Sequence, residues 1–202
     1  MKELSALSFA IYFLFAGLSQ ICLGDEDSLP TTVKDAAISI QDIEGVEQFP
    51  FRIDDSKAAA LIFVTHDCPI SNAYAPELYR LKEEYGSEGF KMMLVYVDPD
   101  VTEKEIRKHR EAYSLSGYAA IVDKTHALVK EAGATVTPEA VVVLGDGTIA
   151  YRGRIDNMYP ALGQRRRVIT EKDLRNALDA VSANQPVEVS RTQAVGCYIP
   201  NI

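Results

Sequence analysis

Residues 58–78 read AAALIFVTHDCPISNAYAPEL. The first seven form a short continuous apolar run, and 59–65 reads as a short buried strand. From Ile70 the apolar residues fall at Ile70, Tyr74, Leu78, Leu81 and Tyr85, which is one stripe of an α-helix. Cys68 stands at the junction between strand and helix. A helix N-terminus presents unpaired N–H groups and about half a positive charge. A thiolate placed there is stabilised, so its pKa falls and the nucleophile is populated near neutral pH. Pro69 suits the first helical turn, where its missing N–H costs nothing. The competing reading is an inert buried cysteine. Three residues further on, where a dithiol site would carry its second cysteine, stands Ser71.

Outward from this junction, Gly86 and Gly89 end the helix and KMMLVYV over 91–97 is a second buried strand. Asp98-Pro99-Asp100 is a turn. Thr102 and Glu105 form a capping-box pattern for a helix that runs to about Tyr113. A short strand over 119–122 precedes a helix from about Thr125 to Ala132. Strands over 140–144 and 148–152 flank Gly145-Asp146-Gly147, a hairpin signal. A last helix covers 171 to about 183. Upstream, 36–40 alternates weakly as a first strand and 45–50 reads as a turn. Strands separated by helices imply parallel pairing, and the late hairpin adds antiparallel strands. The expected fold is α/β, a mixed central sheet with helices on both faces, over 35–183.

The chain has 202 residues and a formal charge of −8, enough length for one domain and the wrong sign for a partner built on nucleic-acid phosphates. The basic cluster Arg165-Arg166-Arg167 reads as a solvated loop. At the N-terminus, Lys2 precedes an apolar stretch over 6–18, and Asp25-Glu26-Asp27 follows. This is the pattern of a signal peptide over 1–24, too short for a comfortable membrane span. It implies an exported protein, periplasmic or extracellular, with a membrane partner only if the segment stays as an uncleaved anchor. A flexible lead over 25–34 and a tail over 184–202 complete the domain organisation. Cys22 leaves with the leader; 19–21 is a poor match to the small residues of a lipoprotein site there. Cys68 and Cys197 then remain.

Cys68-Pro69-Ile70-Ser71 after an apolar strand resembles the CxxC site of the thioredoxin superfamily with its second cysteine replaced by serine. Pro76 stands where thioredoxins carry a helix-kinking proline. Val136-Thr137-Pro138 before a strand resembles the cis-proline loop of that fold. That resemblance implies a cis bond at Pro138, a loop lying alongside the thiol and a backbone edge for a bound substrate. More narrowly, CPISNAYAPE over 68–77, TPEA over 137–140, YRGRID over 151–156 and GCYI over 196–199 resemble the exported bacterial redoxin group, which is peroxiredoxin- or thiol-reductase-like. No CxxCH is present, so no haem is implied, and no cofactor. The chain departs from thioredoxins at Ile62, where they bury an acid. It departs from peroxiredoxins at Leu61, where their P-x-x-x-T-x-x-C motif begins with proline. Thr65 matches that motif; its hydroxyl either orients a peroxide or ends the strand.

The resemblance implies a thiol oxidoreductase in which Cys68 attacks a disulfide-bearing protein or a peroxide. Ser71 would hydrogen-bond the thiolate without resolving the product. Cys197 is the candidate resolving thiol. Val195, Tyr198 and Ile199 are apolar residues in a polar tail, and Gly196 permits close backbone approach, so the tail is expected to dock near Cys68. The competing readings are a mobile tail or a cysteine that pairs with another chain. The alternative function is a non-catalytic binding module, either a protein adaptor or a Cu(I) handler. Sco-type copper chaperones share the fold, and Cys68, Cys197 and His66 would imitate their site if the tail folds back. Otherwise His66 tunes the thiol or simply ends the strand. His109 sits in a charged, surface-like helical stretch, and His126 reads as a structural residue at a helix start. No Cys/His spacing resembles a zinc site.

Overall fold

The computed structural model describes residues 31–35, 37–53 and 56–199. The leader over 1–24 with Cys22, and the first part of the lead, lie outside the described residues. The chain opens with β1 (Thr31–Thr32), β2 (Ile40–Gln41) and β3 (Glu47–Gln48). The apolar run becomes β4 (Ala58–Val64), every residue of it buried. Then come α1 (Pro69–Ala73), α2 (Ala75–Ser87), β5 (Phe90–Tyr96), α3 (Glu103–Ala112), β6 (Ala119–Val122) and α4 (Ala127–Ala132). The chain ends with β7 (Val136–Thr137), β8 (Glu139–Leu144), β9 (Thr148–Gly153), α5 (Asp173–Ser182) and β10 (Cys197–Tyr198).

The central sheet runs β1-β9-β8-β4-β5-β6. β4, β5 and β6 pair in parallel, and β8 pairs antiparallel with both β4 and β9. Five full strands therefore make the expected mixed sheet, with two-residue β1 as a sixth at its edge. Because β4 is central, its alternate residues feed two cores. Ala58, Ala60, Ile62 and Val64 pack with Leu78, Leu81 and Tyr85 of α2, Ile106 of α3 and Leu178 of α5. Ala59, Leu61 and Phe63 pack with Leu128 and Val129 of α4 on the other face. Helices thus cover both faces, as parallel strands require.

Three details differ from the sequence reading: the break at Tyr74, the 36–50 segment and Thr31–Thr32. The stripe expected as one helix is broken at Tyr74, the C-cap of α1 and N-cap of α2. Pro76 has no N–H to continue the ladder, and its ring would meet the carbonyl four residues back. The 36–40 strand shrinks to Ile40–Gln41, and the stretch read as a turn contains β3. Their hairpin is held by the Asp42 carboxylate, which accepts from the Glu44 and Val46 N–H groups and from Gln48 Nε2. Thr31–Thr32, assigned to the flexible lead, pairs with Ile149 and Thr148 of β9. The tail, without periodicity of its own, is docked. Thr192 N–H donates to Arg152 O at 3.0 Å, Arg152 N–H to Ser190 O at 2.9 Å and Ile199 N–H to Thr135 O at 3.2 Å. Ile199 is 4% exposed, in the second core.

The expected capping box forms at the start of α3. Glu105 N–H donates to Thr102 Oγ1, and Thr102 N–H donates to the Glu105 carboxylate. Among the described residues no helix is long and apolar enough to cross a membrane. Leu81 is fully buried between α2 and the sheet. Leu81→Ala should therefore destabilise the fold by about 2–5 kcal/mol, read as a lower urea midpoint with an unchanged denaturant slope.

Candidate active site

β4 delivers the chain to a turn over 65–67, and Cys68 follows as the N-cap of α1 in extended conformation. The residue is 2% exposed. Its sulfur faces the loop that carries the cis Thr137-Pro138 peptide, and the Cys68 thiol donates to Thr137 O at 3.3 Å. β10 lies antiparallel on β7, with Cys197 paired to Thr137 and Tyr198 to Val136. This pairing sets Cys197 Sγ 2.6 Å from Cys68 Sγ, both as free thiols. A side chain at position 196 would prevent it, since a Cβ on Gly196 would fall 2.0 Å from Thr137 O.

The two thiols are electrostatically unequal. Burial pushes the Cys68 thiol up, but the Cys197 thiol and the Ser71 and Ile70 groups at the helix start donate to its thiolate, and the net direction is down. Cys197 is pushed up to about 12 by burial, by the neighbouring Cys68 and by the negative charge of Asp67. Cys68 is therefore the more acidic of the two thiols, and Cys197 the one that holds its proton more firmly. Ser71 is buried, and its hydroxyl has no hydrogen-bond partner in the free-thiol arrangement. It is available to a thiolate. The Thr137 hydroxyl is likewise buried and unpartnered.

Of the residues singled out from sequence, the structure gathers Cys68, Cys197, Ser71 and Pro138. Thr65 lies half-buried at the end of β4, and no hydrogen bond joins its hydroxyl to Cys68 among the described residues. His66 does not complete a copper triad. Among the described residues no group of three or more His, Cys, Asp or Glu side chains is arranged to hold a metal ion. His66 instead offers its backbone carbonyl to Asn72 Nδ2 at 3.0 Å. His126 is structural, its Nε2–H donating to Val97 O at 2.8 Å.

His109 and Asn72 were not legible as site residues. The charged stretch around His109 suggested a solvated surface, yet the ring is buried. Its Nδ1 bonds the Tyr96 hydroxyl and its Nε2 bonds Asn72 Oδ1, each at 2.8 Å. Because an amide oxygen only accepts, Nε2 carries the proton and Nδ1 accepts from Tyr96. Burial, with the nearby His66 adding to it, lowers the His109 pKa to about 4, so the ring is neutral at pH 7. The relay Tyr96–His109–Asn72–His66 O ties α1 to α3 and to the turn before Cys68. No local pattern signals it, because its members come from β5, α3, α1 and the turn before Cys68.

Residues 55–149 match the family model described as thioredoxin-like. The chain has a thioredoxin-like fold. Solved structures agree on the fold. An uncharacterized conserved protein from Geobacillus kaustophilus superposes with a TM-score of 0.71 at 23% identity, over 85% of this chain and 94% of that one. A hypothetical protein from Sinorhizobium meliloti 1021 gives 0.70 at 23% identity, over 84% and 93%. A secreted Mycobacterium tuberculosis disulfide oxidoreductase, described as homologous to E. coli DsbE, gives 0.51 at 16% identity, over 71% and 95%. No curated protein matches the sequence.

Two outcomes follow for the thioredoxin-like domain and its tail. Gly196→Ala should lift the tail from β7 while leaving the sheet intact. Hydrogen exchange over 190–199 should rise sharply with little change in β4 and β5, and unchanged protection of the tail would refute the packing argument. The alkylation rate of Cys68 should titrate below the free-thiol value of roughly 8.5. In Cys197→Ala the thiolate loses a donor, so the midpoint should move up. A midpoint that stays put would show that Cys197 does not set it.

Proposed function

We propose that the protein is an exported thiol oxidoreductase in which Cys68 is the nucleophile and Cys197 resolves the product. The observation that carries this reading is the 2.6 Å approach of two free sulfurs from positions 129 apart in sequence. A disulfide needs the sulfurs at about 2.05 Å, so the oxidised pair forms with a small further approach and no rearrangement of the fold. Cys68 has the features of the attacking group: it begins α1, its pKa is lowered, and Ser71 stands by to donate to its thiolate.

With a disulfide R–S–S–R′, the Cys68 thiolate attacks one sulfur, forms a mixed disulfide with R and expels R′S⁻. Cys197 then gives up its proton, attacks Cys68 and expels RS⁻, leaving the Cys68–Cys197 disulfide. With a hydroperoxide, the thiolate takes one oxygen and releases an alcohol. Cys197 condenses with the resulting sulfenic acid and water leaves. Both routes oxidise the pair by two electrons, and both need a dithiol to reset it. A serine at position 71 takes no part in either electron transfer. The substrate class is accordingly a disulfide-bearing protein or a peroxide. A secreted setting suits the chemistry, since oxidising compartments preserve such bonds, and the Mycobacterium tuberculosis neighbour is described as secreted.

Cys68→Ser should abolish dithiol-dependent turnover with either oxidant, the disulfides of insulin or hydrogen peroxide. Cys197→Ser should still react once, then accumulate the mixed disulfide or sulfenic acid. Peptide mapping of the oxidised wild-type monomer should find Cys68 linked to Cys197. Turnover that survives Cys68→Ser would overturn the reading.

A further inference from the structure

The docked tail closes one surface and borders another. The backbone edge of the cis-proline loop, where the resemblance implies a bound substrate, is Val136–Thr137, and the chain's own Cys197–Tyr198 already pairs with it. Beside the tail lies a hollow of about 340 Å³. Gly196 and Tyr198, the two neighbours of Cys197, line it together with Tyr159, Pro160, Ala161 and Leu162. Those four belong to the loop between β9 and α5. The loop is tied to the redox helix: the Tyr74 hydroxyl at the end of α1 donates to Asp156 O at 3.1 Å, and its ring lies 5.9 Å from that of Tyr159.

The same loop carries Arg165-Arg166-Arg167, which the proposed chemistry leaves unused. All three are exposed, and among the described residues none of their guanidinium groups forms an ion pair. Arg107, Arg110, Arg154 and Arg175, by contrast, each pair with a carboxylate. The loop presents its arginines from a fixed frame. Buried Asn157 joins Thr170 across the base, Nδ2 donating to Oγ1 at 2.7 Å and Thr170 N–H to Oδ1 at 3.1 Å. Arg166 N–H donates to Met158 O at 2.8 Å, and Gln164 N–H to Ala161 O at 3.1 Å closes a tight turn around Leu162. Leu162 is 60%, Val168 71% and Tyr198 82% exposed. Arginine and tyrosine are enriched where proteins meet, and Leu162 and Val168 add apolar area for a partner to cover.

We infer that the disulfide-bearing substrate is a protein that docks on this face, with an acidic patch set against Arg165, Arg166 and Arg167 and apolar side chains over Leu162 and Tyr198. The inference rests on the proposed thiol oxidoreductase reading and gives its substrate a charge. Cys68 and Cys197 lose two electrons and form their disulfide. The partner's disulfide gains those electrons and the two thiol protons, and leaves as two thiols. An anionic membrane is the other negative surface that arginines attract. Without these three of its 21 basic residues the chain holds 18 against 29 acidic side chains. An extended anionic plane also meets that acidic remainder, whereas an acidic patch of limited size on a protein meets the local field of the loop.

The test presents the reduced full chain with two synthetic peptide disulfides that differ only in carrying aspartates or lysines around the cysteine. The overall charge of −8 by itself favours the lysine peptide, so the expected result runs against the bulk charge. At about 10 mM salt the wild type should reduce the aspartate peptide at least about tenfold faster than Arg165→Glu/Arg166→Glu/Arg167→Glu does, and the variant should gain on the lysine peptide. Each peptide is compared across two proteins, so its own reactivity cancels. In the wild type alone, raising the salt to about 1 M, where the Debye length is about 3 Å, should slow the aspartate peptide. Equal rates of wild type and variant with that peptide, or a wild-type rate that rises with salt, would overturn the inference. So would binding to phosphatidylglycerol vesicles that depends on the three arginines while the aspartate peptide's rate does not, which assigns the loop to a membrane. A chain that reacts with hydrogen peroxide but with neither peptide also overturns it, since the substrate then carries no disulfide. Failure of the parent reading is distinct: neither peptide is reduced and hydrogen peroxide leaves both cysteines as thiols.

Discussion

The site depends on one contact, the antiparallel pairing of Cys197–Tyr198 with Val136–Thr137. Thr137 is the crossing point. Its carbonyl accepts from the Cys68 thiol, its Cα partner is Cys197, and its peptide bond to Pro138 is cis. Two glycines make room for the tail. A Cβ on Gly196 would strike Thr137 O, and a Cβ on Gly153 would fall 2.1 Å from Thr192 Oγ1. The Thr192 hydroxyl is in turn bonded by Arg154 N–H and by the Tyr151 hydroxyl. At the far end Ile199 fills the second core, a burial worth roughly 1.5–3 kcal/mol. The tail is thus held at both ends of the stretch that carries the thiol.

On the proposed function, that contact is what gives a CxxS site its second thiol for two-electron chemistry. In the CxxC arrangement both thiols share one helix turn. Here Ser71 occupies the inner position, and Ile62 stands where a buried acid would assist a second thiol. The second thiol arrives instead from outside the helix, opposite its N-terminus. A helix start stabilises one thiolate, and Cys68 holds that place. Cys197 has the reverse environment, with Asp67 and the Cys68 thiolate both disfavouring its charge. The division of roles is therefore set by position and not by the identity of the residues. The relay through His109 and Asn72 fixes the helix start on which this inequality depends, and its buried imidazole stays neutral at pH 7.

The sequence was most legible where structure is local. The run over 58–64, the stripe through Leu78 and Leu81, the capping box at Thr102 and the Gly-Asp-Gly hairpin each encode an element within a few residues. The thiol at a strand-to-helix junction and a docking tail were legible for the same reason, from Cys68-Pro69 and from apolar residues around Cys197. The pairings of two-residue strands were not. β1, β7 and β10 are too short for any periodicity, and their partners lie far away in sequence. His109 was misread because the composition of Glu103–Ala112 is that of a solvated helix. Its burial, like that of Arg110, is permitted only by distant acceptors and donors: Asn72 and Tyr96 for the imidazole, and the Ser116 and Tyr118 carbonyls for the guanidinium. A polar residue's burial is a property of its partners, which no local window contains.

If Cys68 and Cys197 form the proposed disulfide, the second thiol rides on the tail, and docking and oxidation become one thermodynamic quantity. Closing a loop of 129 positions stabilises the folded state by about 5 kcal/mol in the chain-entropy treatment. The same free energy pins the tail to β7 when the pair is oxidised. When it is reduced, only backbone pairing, the Thr192 bonds and Ile199 keep the tail in place. Linkage is reciprocal: whatever strengthens the docked tail must, by the same amount, favour the disulfide over the dithiol. A redox pair built within one helix turn has no such dependence, since its sulfurs stay together whenever the helix is folded. In this chain the effective concentration of Cys197 at Cys68 is set by contacts at Gly153, Gly196 and Ile199, none of which touches a sulfur. On the proposed reading, the readiness of the pair to accept and release electrons is therefore governed by how well the docked strap over 190–199 keeps its grip on the end of the sheet.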